Sequence, residues 1–445
     1  MKRIIALILV IVMATVLIVA CADDTPTPAV QEATPPQEET PETPQEEVPV
    51  PTGDRPVFRI AAWGSGYAET YQRAEDSHNA MFDDIELRIE IVPTDFWTFL
   101  SVSLAANELP DMFFMSPYTR LFDFAQQGAL MDLTGMPALD VIDEGFMPGV
   151  IYNGRIYGLP IGVHYINVFY NVDMFEELGL QSPTTLAEFE ALCAALYAEE
   201  IQPISVALRE NWVTYQALMG LAASALGSVE ALYDFVEGMN AGETSFGDLP
   251  HFDGIIEFFN IVGQYVGMRY MDVDYSSMVS EFATGEAAMF LNGEWAIGDI
   301  WGITPGMNVG MFPYPVSNNP DNMFLASDIG IVLAVCANAD RNHVETILNR
   351  LVDPNLTVGF TYYLVKEAGF GTPFPFYAAQ RNLSTAGDQY NEWKDAGRTM
   401  PWLANFVPPG FEQEVAGATD QFIVGNIDVD TFVGILDDAW RRMSN

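Results

Sequence analysis

From Val57 to Asn445, short apolar runs that read as strands alternate with longer stretches of helical spacing. This alternation constrains the fold more than any other feature. Strands separated by helices pair most readily as a parallel sheet with helices packed on its faces. Val57–Trp63 is the first strand candidate, closed by Gly64-Ser65-Gly66. Residues 68–81 have helical spacing, and Ile85–Val92 alternates with period two, as a half-buried strand does. Thr94 or Asp95 offers a cap for a helix reaching Asn107. Leu109-Pro110-Asp111 then introduces the apolar strand Met112–Met115.

Further along, Asn153-Gly154 inside Ile151–Leu159 predicts a type I′ hairpin turn. His164–Tyr170 predicts a strand, Asn171-Val172-Asp173 a helix start, and Gly179 its C-cap. Thr184-Thr185 caps a helix over Leu186–Glu200. Pro203–Leu208, Glu286–Leu291, Met307–Phe312 and Ile329–Val335 predict further strands, with helices near 212–226, 229–237 and 252–266. After Asn338 the spacing is mostly helical, at 341–352, 355–368, 411–424 and 429–443. No internal repeat is visible.

A body of 389 residues (57–445) exceeds one ordinary core, so two lobes are expected. The chain carries a formal net charge of −43, and the body retains 52 acidic against 15 basic side chains. Such a field disfavours nucleic acid and anionic membranes as partners and leaves a cationic ligand open. Cys193 and Cys336 both lie in or beside apolar runs, which predicts two separate buried thiols rather than a disulfide.

Lys2-Arg3 followed by an apolar run from Ile4 to Ala20 has the pattern of a secretory signal, residues 1–20. The small residue Ala20 followed by Cys21 resembles a bacterial lipobox. That resemblance implies cleavage before Cys21, lipidation of its sulfur, and anchoring on the outer face of the cell membrane. The run of 17 residues sits at the lower limit for a spanning helix, which is the alternative reading. Residues 21–56 are rich in Pro, Glu and Thr and poor in large apolar residues, as expected of a disordered tether.

Four segments carry a family resemblance. They are Leu109-Pro110-Asp111-Met112-Phe113-Phe114, Ile156-Tyr157-Gly158-Leu159-Pro160 with Phe169-Tyr170-Asn171, Gly179-Leu180 with Pro183–Phe189, and Phe282–Trp295 (FATGEAAMFLNGEW). In this order and behind a lipobox, they resemble the extracellular solute-binding proteins of ABC importers, the maltose-binding-like family 1. The resemblance implies a two-lobed α/β fold of the periplasmic-binding-protein kind (type II) with a ligand cleft between the lobes. Mapped here, lobe one is 57–163 plus 302–328, and lobe two is 164–301 plus 329–445. The implied ligand is a sugar or oligosaccharide, the implied partners are membrane permease subunits, and the implied state is a monomer without cofactor.

A sugar presents apolar C–H faces and a rim of hydroxyls, so its site needs aromatic platforms and planar polar side chains. Trp63, before the glycine turn, suits either a platform with Ser65 beside it or core packing. Trp295 matches the family's Trp in the helix after the Phe282 segment, with Asn292 and Glu294 as hydroxyl partners or as turn and cap residues. By the same resemblance, Met115, Ser116 and Tyr118 reach the cleft, and Asp111 orders the strand entry. His164 and Tyr165 stand where the family often places a polar contact, Glu in some members; His164 is a departure, and is either a ligand donor or a satisfied structural histidine. Asp328 is a hydroxyl acceptor or a cap. Trp402 is a cleft aromatic or a surface one.

Catalytic chemistry has little support. The four histidines lack metal-ligand spacing, and neither a nucleophile elbow nor a phosphate-binding loop is present. A non-enzymatic binder without a metal site is therefore expected. Two alternatives stay open: the same fold binding a polyamine or other cation, and a surface carbohydrate-active enzyme or adhesion protein.

Overall fold

The computed structural model describes residues 55–64, 67–92, 96–210, 212–266, 268–356, 360–366, 371–378 and 384–444. The signal segment, Cys21, the tether up to Asp54 and Ser65 lie outside the described residues. Among the described residues there are eleven strands: β1 Val57–Ala62, β2 Glu86–Ile91, β3 Met112–Met115, β4 Ile151–Tyr152, β5 Arg155–Ile156, β6 Gly158–Asn171, β7 Gln202–Ser205, β8 Ala287–Gly293, β9 Val309–Phe312, β10 Leu325–Val335 and β11 Thr399–Met400. Among the described residues no helix is long and apolar enough to cross a membrane.

β1 runs parallel to both β2 and β3, with the helix Ala68–Met81 connecting it to β2. That helix is fixed to β2 by Asn79, whose amide donates to the Leu87 carbonyl and accepts from the Leu87 N–H, each at 2.8 Å. Asp111 accepts from the Arg59 N–H at 2.8 Å and so orders the entry to β3, as expected. The β4–β5 hairpin turns through Asn153 (φ 50°) and Gly154 (φ 73°), the positive pair a type I′ turn requires. Gly179 caps its helix in the left-handed region, and the Thr185 side chain accepts from Glu188 N at the next helix start.

Two long strands tie the parts together. The first half of β6 pairs antiparallel with β10, and its second half pairs with β8 and β9. β10 in turn pairs with β3, which places the strands in the order β2-β1-β3-β10-β6-β8-β7. The apolar side chains form two buried clusters. One draws on β1–β3, the start of β6, Ile329–Val335 and the helix Arg341–Leu351. The other draws on the rest of β6 through Ala326 and on residues 386–440.

The later segments pack differently from the expected division. Residues such as Val309, Phe312 and Tyr314 join the cluster around 164–301, whereas Ile329–Val335 and Ile347 join the cluster around β1. The cause is the pairing. β9 lies against the second half of β6, and the end of β10 lies against β3. Cys193 and Cys336 are free and buried, one in each cluster, and burial pushes the Cys193 thiol up to about 12.

On β10 the Asp328 carboxylate is buried. It accepts from the Ile329 N–H at 2.7 Å and from the Asn405 amide at 3.1 Å. Burial outweighs these donors and pushes its pKa up to about 7. A carboxyl raised in the folded state binds its proton more tightly there than in the unfolded chain. Its stabilising contribution is full below about pH 4 and is lost as pH rises through about 7. Urea midpoints at pH 5 and pH 8 should therefore fall with pH in the wild type and fall less in Asp328→Asn.

Close packing gives a second expectation. A Cβ at Gly254 would stand 1.8 Å from the Val316 carbonyl oxygen, whereas one at Gly302 would meet nothing within 4 Å. Gly254→Ala should destabilise by roughly 1–3 kcal/mol through overpacking. Gly302→Ala, exposed on the helix Ala296–Ile303, should stabilise by about 0.5–1 kcal/mol through helix propensity. Urea unfolding of both variants checks the contrast.

Candidate functional site

The site is assembled where β6 crosses β10. The register of β10 against β6 shifts between Ile329 and Ile331, across Gly330, which has no partner in the ladder, and shifts again between Ile331 and Val332. A Cβ at Gly330 would lie 1.7 Å from the His164 ring, so only glycine lets the imidazole lie there. His164 is held from the other side by Glu294. One carboxylate oxygen of Glu294 lies 2.5 Å from His164 Nδ1, and the other accepts from the Tyr165 N–H at 2.9 Å. Glu294 is itself buried, so both of its oxygens serve the strand crossing.

Aromatic rings surround this point. Gly293 leaves room for Trp295 to fold back, since a Cβ there would stand 2.1 Å from the indole. Trp295 meets His164 edge-on at 5.1 Å, and Trp402 lies parallel to His164 at 6.3 Å. Trp212 stands 6.3 Å from Trp295 and 5.8 Å from Tyr275. On the opposite side, Trp63 follows β1 with its ring edge-on to Phe96 and Phe114 and 5.5 Å from Trp97. The Arg120 guanidinium stacks on Trp97 at 4.1 Å. The Tyr67 hydroxyl donates to the Trp295 carbonyl at 3.3 Å.

These groups line a cavity of about 720 Å³. That volume is within the range of small-molecule sites, roughly 300–1,000 Å³. Its walls come from both apolar clusters, and Trp295 packs against both. Asp299 accepts from the Tyr275 hydroxyl at 2.7 Å, yet burial raises its pKa. Burial likewise raises Glu412 and lowers Arg120, each partly offset by the other's charge. The hydroxyls of Tyr67, Tyr215 and Tyr275 are pushed well up by burial and stay protonated.

Of the residues singled out in the sequence, Trp63, Ser116, His164, Trp295 and Trp402 line this cavity together. Ser65 lies outside the described residues, and the remaining ones stand behind the cavity. Met115 is fully buried in β3. Tyr118 turns away to pack against Phe406 at 4.3 Å with the rings tilted by 37°, and Tyr165 stacks on Tyr390 at 4.8 Å. Asn292, Glu294 and Asp328 are buried polar side chains that serve strand and turn geometry. Strand alternation explains His164 and Tyr165, neighbours on β6 that point to opposite faces. Trp97, Arg120, Trp212, Tyr275, Asp299 and Glu412 line the cavity without having been anticipated. Trp97 and Trp212 were visible as tryptophans, but nothing local showed which helix face meets the cleft.

Residues 72–358 match the family model described as bacterial extracellular solute-binding protein. Among curated proteins, the chain is 23% identical over 234 residues to a multiple sugar-binding protein of Streptococcus mutans, covering 52% of this chain and 55% of that one. It is 24% identical over 256 residues to a maltotriose-binding protein of Pyrococcus abyssi, covering 56% and 51%. The chain thus spans about half the length of these relatives. Among solved structures, a RafE solute-binding protein in complex with raffinose superposes with a TM-score of 0.73 at 19% identity, over 87% of this chain and all of that one. A Bacillus licheniformis sugar transporter protein in complex with stachyose gives 0.71 at 15%, with 87% and 100% covered. The fold is therefore the two-lobed solute-binding fold with its cleft between the lobes, and the chain belongs to the bacterial extracellular solute-binding protein family.

Proposed function

We propose that this protein is the substrate-binding lipoprotein of an ABC importer, capturing a neutral sugar or oligosaccharide in the interlobe cleft and delivering it to membrane permease subunits. The observation that carries the reading is the cavity of about 720 Å³ walled by Trp63, Trp97, Trp212, Trp295 and Trp402, with hydroxyls and charged groups between the rings. Indole faces stack on the C–H faces of sugar rings, and the polar groups pair hydroxyls. The sugar-binding relatives and the raffinose and stachyose complexes support the same ligand class. Export and a lipid anchor at Cys21, with the protein acting as a monomer on the outer face, complete the proposal.

The cationic alternative fits this cavity less well. A polyamine needs carboxylates free to face an ammonium, whereas Asp299 already accepts from the Tyr275 hydroxyl at 2.7 Å and Glu412 lies 3.9 Å from Arg120, whose positive charge stands among them.

Isothermal titration with raffinose, stachyose, maltotriose and spermidine tests the ligand class. A saccharide should bind, and Trp295→Ala should weaken it at least about tenfold, a loss of about 1.4 kcal/mol. Spermidine binding without saccharide binding would reverse the assignment. For the anchor, mass spectrometry of membrane-extracted protein should find an acylated N-terminal Cys21. An intact Met1 terminus with an unmodified thiol overturns it.

A further inference from the structure

Arg120 and Glu412 are unusual among the cavity groups. Arg120 stands on the helix Thr119–Gln126 and Glu412 on the helix Phe411–Ile423, whose apolar sides belong to different clusters. Their nearest charged atoms are 3.9 Å apart, an ion pair that is too long for a hydrogen bond. Among the described residues neither side chain makes a hydrogen bond, although both are mostly withdrawn from solvent, with side chains 23% and 30% exposed. The remaining exposure opens on the cavity that both line. The Arg120 guanidinium is held flat by Trp97 at 4.1 Å, so its fork of N–H donors is oriented before anything binds. Both charged groups keep some exposure, so their donors and acceptors are open to a ligand that enters the cavity and bonds them.

The chemistry of that ligand follows from the pair. A hydroxyl accepts from an N–H at about 2.9 Å and donates to a carboxylate at about 2.7 Å, and these two lengths close a triangle over a gap of this size. One hydroxyl therefore satisfies both charges, and a second on the adjacent carbon reaches another N–H of the planar fork. A ligand carboxylate in the same place would meet Glu412, and a ligand ammonium would meet Arg120. We propose that Arg120 and Glu412 together are the specificity-determining pair of the cleft, reading a vicinal diol of a neutral saccharide and rejecting acidic and amino sugars. The proposal rests on the saccharide reading above. It adds which two side chains hold the diol, one on a helix of each apolar cluster.

The test is titration calorimetry of the exported body and of its Arg120→Gln and Glu412→Gln variants. The probes are raffinose, an oligogalacturonide and a chitosan oligosaccharide, with circular dichroism confirming that each variant folds. The wild type should bind the neutral probe and disfavour both charged ones by roughly 10- to 100-fold, the weight of hydrogen bonds to charged groups. Each variant should lose affinity for the neutral probe. Glu412→Gln should in addition relax the rejection of the acidic probe, and Arg120→Gln that of the amino probe. Opposite shifts of this kind are what a merely structural role would not produce. Equal loss for all three probes in both variants, or wild-type binding of a charged probe as tight as the neutral one, overturns the pair's role while leaving sugar binding intact. Binding of no saccharide at all overturns the saccharide reading and this inference with it.

Discussion

The antiparallel pairing of β6 with β10 is the interaction on which the rest of the molecule depends. Each strand leaves one hydrophobic cluster and enters the other, so the lobes share backbone hydrogen bonds at their junction. Everything that shapes the cavity is referred to this crossing. The Gly330 bulge makes room for His164, Glu294 ties His164 to the Tyr165 backbone, and Gly293 lets Trp295 lie beside them. The buried carboxylates here orient other groups rather than the solute. Glu294 and Asp328 spend their acceptors on backbone N–H groups, an imidazole and an amide.

The aromatic walls solve a problem of specificity without tight enclosure. Rings from three directions define planes, whereas the charged groups define points. Trp63 and Trp97 belong to one lobe, and Trp212 and Trp402 pack with the other. A solute with two apolar faces can be clamped only when both sets of planes approach it, which is the hinge behaviour of two-lobed binders.

Much of the architecture was legible in the sequence. Period-two alternation located β2, Asn153-Gly154 located the hairpin, and Thr185 and Gly179 marked helix ends where the structure has them. The motif resemblance led to Trp295 because that residue follows a recognisable strand and turn. The division between lobes was not legible, because β9 and β10 are sequence neighbours whose partners, β6 and β3, are distant in the chain. The same limit hid Arg120 and Glu412, which are 292 positions apart and become a pair only when the helices carrying them face one cavity. Along strands the error was of another kind. Adjacent residues such as His164 and Tyr165 share one motif in the sequence, but the pleat sends them to opposite faces.

The two cysteines have a consequence of their own. Each apolar cluster contains one buried free thiol, Cys336 in the first and Cys193 in the second. A reagent that reacts only with exposed thiols would meet each one when its own lobe opens. The molecule thus carries an internal clock in each half, able to distinguish lobes that loosen in turn from lobes that unfold as one cooperative body.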